Sequence, residues 1–225
     1  GTLTGDGAAL ETLMAALERA PGLGFGVASG RSPELVRAAV EAFGLLEPDL
    51  VIASVGSEMD GPEGLRAAYE AEIGAGWDRA RVEEALAGLR LQGPAGQRPY
   101  KVSFHLAPES LEAALAEARF RLERRGLRAR LIVSHGEFLD VLPERASKGA
   151  AVRFASAALG VPLGRVVVAG DSGNDAEMLR CGARSVVVAN HEPELAALVA
   201  EGGVYLARER HAAGVLEGLR HFGAL

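Results

Sequence analysis

Only one cysteine, Cys181, occurs in these 225 residues, so no intrachain disulfide can form. A lone thiol suits a reducing compartment; a cytoplasmic protein is expected, with Cys181 serving as a small buried apolar residue. Long apolar runs are also missing: no stretch nears the roughly 20 residues needed to span a bilayer, and no membrane partner is expected. Excess positive charge is absent, with 24 Lys and Arg against 30 Asp and Glu and a formal net charge of −6. A nucleic-acid partner is therefore not expected, because displacing counterions from a phosphate backbone needs clustered Lys and Arg. Phosphate esters remain open as ligands, since a bound Mg²⁺ lets an acidic site accept an anion. There is no internal repeat and no low-complexity tract. An initiating Met is also absent, and the abrupt start Gly1-Thr2-Leu3-Thr4-Gly5-Asp6 is expected to continue a longer polypeptide.

What is present is ordinary globular composition, 48% hydrophobic and 24% charged, in a chain long enough for a core with a smaller insert. Leu23 to Ala28 reads as a strand, Pro33 to Phe43 as a helix and Leu50 to Ala53 as a second strand. Ser32-Pro33-Glu34 places a capping hydroxyl, a first-turn Pro and a first-turn carboxylate in succession, which fixes that helix start. The pattern returns as a helix from Lys148 to Leu159, a strand Val166 to Ala169, a helix from Asp175, a strand Ser185 to Ala189 and a helix Pro193 to Val199. This alternation predicts an α/β fold with parallel strands under helices. The middle differs: strand Tyr100 to Leu106, helix Pro108 to Arg125, then two short strands, Leu131 to Val133 and Phe138 to Leu142, in close succession. We therefore expect a core of residues 1–69 and 143–225 and an inserted α+β cap domain over 70–142.

Two strand ends and one helix start carry candidate chemistry. Val166 to Ala169 runs into Gly170-Asp171-Ser172-Gly173-Asn174-Asp175 and then a helix, so polar side chains gather at the carboxyl end of a parallel strand, where open α/β sheets bind ligands. Two carboxylates four residues apart, Asp171 and Asp175, suit a hard cation such as Mg²⁺; a helix cap alone accounts for fewer of these side chains. Lys148 follows Ser147 in the first turn of a helix, where the dipole opposes a cation unless an anion is also drawn there. Ala28-Ser29-Gly30-Arg31-Ser32 is the third, offering a hydroxyl, a backbone N–H and a guanidinium fork to a phosphate, although a capped turn explains the same residues.

Together with Gly1-Thr2-Leu3-Thr4, these segments resemble the four motifs of the haloacid-dehalogenase superfamily, in order, over nearly the whole chain. The resemblance implies a Rossmannoid, doubly wound parallel sheet with a cap. It also implies that Gly1-Thr2 is the tail of an Asp-x-Asp-Gly-Thr motif whose two aspartates, just upstream, attack phosphorus and protonate the leaving oxygen. Asp6 lies past that turn and is no substitute. Carried onto this chain, it makes Ser29, Lys148 and Asp171 catalytic, with Asp171 and Asp175 at Mg²⁺ and Gly30, Arg31 and Asn174 beside the substrate. The expected reaction is phosphate-ester hydrolysis through an aspartyl-phosphate.

A narrower likeness appears in Val55-Gly56-Ser57-Glu58, Tyr100-Lys101-Val102-Ser103, Ser134 to Pro143 and Arg145-Ala146-Ser147-Lys148-Gly149, which resemble sucrose-phosphate phosphatases. The same stretches are similar to the carboxy-terminal domain of bacterial sucrose-phosphate synthases, and fusion to or association with such a synthase is one expectation. By this resemblance Gly56, Ser57, Glu58, Lys101 and Asp140 contact the sugar of sucrose 6-phosphate, and His135 either binds sugar or caps a turn. Another sugar phosphate, such as a mannosyl-phosphoglycerate, or a catalytically inactive sugar-phosphate-binding domain, stands as the alternative.

Overall fold

A computed structural model describes residues 1–107, 111–134 and 137–225. The chain opens with α1 (Gly7–Glu18), β1 (Gly26–Ala28), α2 (Pro33–Ala42), β2 (Leu50–Ala53) and β3 (Glu58–Asp60). α3 (Leu65–Gly74) and α4 (Arg79–Ala85) lead to β4 (Arg90–Leu91), β5 (Val102–His105), α5 (Leu111–Arg124), β6 (Ala129–Ser134) and β7 (Phe138–Pro143). Alternation resumes with α6 (Lys148–Ala158), β8 (Val167–Gly170), α7 (Ala176–Leu179), β9 (Arg184–Val187), α8 (Ala196–Glu201), β10 (Tyr205–Leu206) and α9 (His211–His221).

The expected parallel pairing is present in two blocks, β1 with β2 and β8-β9-β10, each part of a separate three-stranded sheet. β3 departs from the parallel pattern and runs antiparallel to β2, with Ala53 opposite Glu58. The connection from Ser54 to Ser57 is too short for a crossover, so the chain can only turn back on itself. The first strand begins at Gly26 rather than Leu23, because its partner β2 begins at Leu50, directly opposite Gly26. α6 packs between these elements: Ala151, Val152 and Ala155 share a buried cluster with Ile52, Val55, Val168, Met178 and Cys181. The free Cys181 is thus a core residue.

Residues 90–143 build a third sheet, order β4-β5-β7-β6, antiparallel throughout. Side chains alternate across it. Val102, Phe104, Leu139 and Val141 point one way, into a cluster with Val82 and Leu86 near α4 and Ala118 and Leu122 of α5. Leu142 and Ile132 point the other way and join the cluster of Ile52 and Val168, and Asp140, two residues from Leu142 and opposite both Ser103 and Ile132, shares that face. A polar group thereby looks toward the parallel blocks. Tyr69 and Ile73 of α3 belong to the parallel-block cluster, so residue 70, the expected start of the insert, falls inside a helix packed on that side. Among the described residues no helix is long and apolar enough to cross a membrane.

Phe104 is almost fully buried in the third sheet's own cluster. Truncating it to Ala removes a ring that its neighbours can only partly replace, so Phe104→Ala should cost about 3–5 kcal/mol of stability, read as a lowered midpoint in urea unfolding. A change under about 1 kcal/mol would show that this sheet contributes little to cooperative unfolding.

Candidate active site

The turn after β8 is organised by Asp175. Its Oδ2 accepts hydrogen bonds from the backbone N–H of Asp171 (3.1 Å) and of Ser172 (3.2 Å) and from the Ser172 hydroxyl (3.3 Å). This folding-back requires Gly170, where an added Cβ would lie 2.6 Å from Asp175 Cβ. Asp175 Oδ1 accepts from Lys148 Nζ at 2.6 Å, and the same ammonium donates to Asn174 Oδ1 at 2.5 Å. Only 4% of the Lys148 side chain and 6% of the Asp175 side chain are exposed. Lys148 is held there by the start of α6, where the Ser147 hydroxyl accepts from the Ala150 N–H at 3.0 Å. The pair therefore keeps a cation at a helix terminus that would otherwise repel it.

Asp171 faces the first residues of the chain. The Thr2 hydroxyl donates to Asp171 Oδ1 at 2.5 Å, and the nitrogen of Gly1 lies 3.3 Å from Oδ2. The Gly1 carbonyl is in turn approached by His211 Nδ1 (2.8 Å) and Asn190 Nδ2 (3.4 Å), two residues the motif reading missed. Asp6 is turned to another task and caps α1 through the Ala9 N–H.

The tip of β1 reaches the same place. Ser29 N–H donates to the Ile52 carbonyl (2.8 Å), and the Ser29 hydroxyl accepts from Arg31 N–H (3.1 Å). A Cβ on Gly30 would stand 3.8 Å from Asn174 Nδ2, so the β1 and β8 turns meet edge to edge. Arg31 is exposed beside them, and Ser32 caps α2 as expected from its position. The Ser29–Gly30 tip and the Asp171–Asn174 turn thus stand at neighbouring strand ends, with Lys148 at the α6 start bonded to Asn174.

A third turn, Ser54 to Ser57, supports the other two. Ser54 (φ 51) and Val55 (φ 62) are both left-handed without being glycine, a conformation that costs of order 1–3 kcal/mol per residue and persists only where the surroundings enforce it. Enforcement comes from Ser54 N–H to Arg31 O (2.8 Å) and Val55 N–H to Ser29 O (3.1 Å). Tyr69 donates its hydroxyl to the Gly56 carbonyl at 2.6 Å, and burial pushes the Tyr69 hydroxyl pKa up, which keeps it a donor. Gly56 (φ 93) lies directly on the α6 start: a Cβ there would fall 2.1 Å from Ser147 C and 2.3 Å from Lys148 N. Ser57 is fully buried, with its hydroxyl on Ser54 O at 2.9 Å. Glu58 accepts from the Ser54 hydroxyl and from both Nε (2.7 Å) and Nη2 (2.8 Å) of Arg98.

From the antiparallel sheet, buried Lys101 lies 3.4 Å from Asp140 Oδ1, which also accepts the Ser103 hydroxyl at 2.5 Å. A cleft of about 500 Å³ opens between this sheet and the β8 turn, lined by Arg119, Arg130, Ile132, Ser147, Asn174 and Glu177. Arg130 is paired with Glu177 across it. His135 lies outside the described residues.

For a divalent cation the donor chemistry is specific. Both Asp175 oxygens are engaged within the protein, whereas Asp171 presents its carboxylate at the strand tip, where among the described residues it meets the Thr2 hydroxyl and the Gly1 nitrogen. Among the described residues no group of three or more His, Cys, Asp or Glu gathers. One carboxylate with room for waters and phosphate oxygens suits Mg²⁺, which seldom takes an all-protein shell.

The family described as sucrose-6F-phosphate phosphohydrolase matches residues 1–223. Sucrose-phosphatase 1 of Nicotiana tabacum is 35% identical over 208 residues, 86% of this chain and 49% of that protein, so the chain spans about half the length of that relative. Mannosylfructose-phosphate phosphatase of Agrobacterium fabrum is 34% identical over 87% of this chain and 81% of its own length. The sucrose-phosphatase of Synechocystis sp. PCC6803, solved in complex with sucrose and phosphate, superposes with a TM-score of 0.90 at 34% identity, covering 97% of this chain and 93% of that one. Haloacid-dehalogenase-like hydrolases of much lower identity share the fold.

Removing one member of a buried, hydrogen-bonded ion pair leaves the other charge desolvated, at a cost of about 3–5 kcal/mol. Asp175→Ala should therefore lower the urea midpoint strongly, while Asp171→Ala, which frees no buried cation, should cost under about 1.5 kcal/mol. Equal losses in the two variants would contradict the division of labour drawn between these aspartates.

Proposed function

The chain belongs to the sucrose-6F-phosphate phosphohydrolase family, and on that premise we propose that it hydrolyses a sugar phosphate, with sucrose 6-phosphate as the leading substrate. The observation that carries this reading is the meeting of the Ser29–Gly30 tip, the Lys148 ammonium and the Asp171–Asn174 turn at one point. Phosphoryl transfer asks a protein chiefly for positioning and for neutralising charge on the phosphate oxygens. Lys148 supplies a fixed cation, and the Ser29 hydroxyl, the Gly30 N–H and the Arg31 fork supply donors around the same oxygens. The Thr2 hydroxyl orients Asp171 at the β8 tip, where the family resemblance calls for a carboxylate to attack phosphorus and a second to protonate the leaving sugar oxygen. Asp171 would hold Mg²⁺, which when bound neutralises charge on the phosphoryl group. Asp175 serves through Lys148, holding the ammonium rather than the ion.

The substrate's sugar is assigned to the polar face of the antiparallel sheet, to Lys101 and Asp140, with Glu58 and Asn174 at its border. Gly56 contributes by its close fit against the α6 start, and Ser57 by bonding the Ser54 carbonyl within the turn, rather than by direct contact. Hydroxyl-rich ligands need such fixed, partly buried donors and acceptors. A reducing cytoplasm is the assigned compartment. The likeness to mannosylfructose-phosphate phosphatase favours one second reading, a different disaccharide phosphate in the same site.

Phosphate release from a panel of sucrose 6-phosphate, mannosylfructose phosphate, hexose phosphates and p-nitrophenyl phosphate decides between these, with the highest kcat/KM expected on sucrose 6-phosphate. Comparable kcat/KM across the panel would remove the sugar assignment. Lys148→Ala should lower kcat by about 10²–10³, the usual loss for one preorganised charge donor, and Asp171→Asn should abolish Mg²⁺-dependent turnover. Lys101→Ala should erode the preference for the sugar while sparing the aryl phosphate; an unaltered preference would take Lys101 out of the sugar site.

A further inference from the structure

Arg98 belongs to the inserted segment, just after the turn Pro94–Gly96, yet its side chain leaves that segment to grip the parallel block. Its fork takes both oxygens of Glu58, and Nη2 reaches Glu34 Oε1 of α2 at 3.2 Å. The Glu34 carboxyl is held down at about 2, first by the Ser32 hydroxyl, then by its own amide and by Arg98, and so is anionic at neutral pH. On the other side, the Arg98 backbone exchanges two hydrogen bonds of 3.1 Å with that of Lys101, and Arg79 donates to the carbonyls of both. Lys101 is the partner of Asp140. Beyond Glu58 the contacts continue to the Ser54 hydroxyl. Ser54 and Val55 then bond to the backbones of Arg31 and Ser29, while Gly56 abuts Ser147 and Lys148.

We propose that Arg98 is a positioning residue: by clamping Glu58 it fixes the left-handed Ser54–Gly56 turn, and so couples the seating of the antiparallel sheet to the placement of Ser29 and Lys148. The two successive left-handed residues make the turn dependent on its anchors, since neither Ser nor Val keeps that backbone unaided. Removing the clamp lets the turn relax, and both tips that rest on it lose their register with the β8 turn. A residue that only touched the sugar would leave hydrolysis of a small aryl phosphate intact, and one that only stabilised the fold would loosen it everywhere. The kinetic arm rests on the phosphatase reading above; the exchange arm does not.

Arg98→Ala, Arg98→Lys and Glu58→Gln in the full chain test this. Hydrogen exchange by mass spectrometry should rise about tenfold in peptides over 52–58 and 146–150 of Arg98→Ala, while peptides over β9 stay unchanged; Arg98→Lys and Glu58→Gln should fall between Arg98→Ala and the parent chain. kcat should fall about tenfold on p-nitrophenyl phosphate as well as on the sugar phosphate. Unchanged exchange over 52–58 overturns the proposal, as does a uniform rise across all peptides. A kinetic loss confined to KM for the sugar phosphate makes Arg98 a sugar contact and overturns it too. If the parent chain hydrolyses neither ester, the exchange pattern alone decides the role of Arg98.

Discussion

The site depends on one buried ion pair. Taking an ammonium and a carboxylate out of water costs several kcal/mol per ion, and their attraction offsets this only when the remaining hydrogen-bonding capacity is met. Here it is met: Lys148 has Asp175 and Asn174, and Asp175 has two backbone amides and a hydroxyl on its other oxygen. An apolar pair of the same size would stabilise the core as well, so stability alone does not explain the arrangement. A cation fixed at a helix start, against the dipole and beside two strand tips, is the arrangement that the proposed phosphate-binding role of Lys148 requires.

Convergence of backbone is the second requirement. Three turns, after β1, β2 and β8, draw together: Ser54 and Val55 bond to the β1 turn, Gly30 faces Asn174, and no Cβ fits at Gly56 against the α6 start or at Gly170 against Asp175 of its own turn. The strained turn at Ser54 and Val55 is the keystone among them, since it is bonded to one tip and pressed against the other. The antiparallel sheet completes the enclosure by alternation, with Val102, Phe104, Leu139 and Val141 turned to α4 and α5, and Asp140 turned with Leu142 and Ile132 to the parallel blocks. Arg130 with Glu177 and Arg98 with Glu58 tie the two parts together at separate points.

Local signals were legible along the chain. Ser32-Pro33-Glu34 and Ser147 announce helix starts, and both hydroxyls cap as their positions require. The apolar runs before Ser29 and Asp171 mark strands, although their ends shift by a few residues because a strand starts only where its partner starts. Helices α1, α3, α4 and α9 were less legible: α1 and α4 start at lone aspartate caps, Asp6 and Asp78, while α3 and α9 have no side-chain cap and gain definition from the faces they cover.

The motif spacing by itself determined which residues stand at strand ends, because the order of strand, turn and cap is written within a few neighbouring positions. It determined that the chain alternates β and α on either side of a different middle. Only the tertiary structure decided what each polar group does there: Asp175 turned inward to Lys148, Asp171 left at the tip, Gly56 against the α6 start, and Arg98 on Glu58. These assignments join residues 27 and 40 positions apart, as for Lys148 with Asp175 and Arg98 with Glu58. No local pattern encodes such a pairing, since the energy that selects one partner over another comes from the shared exclusion of water when distant segments pack.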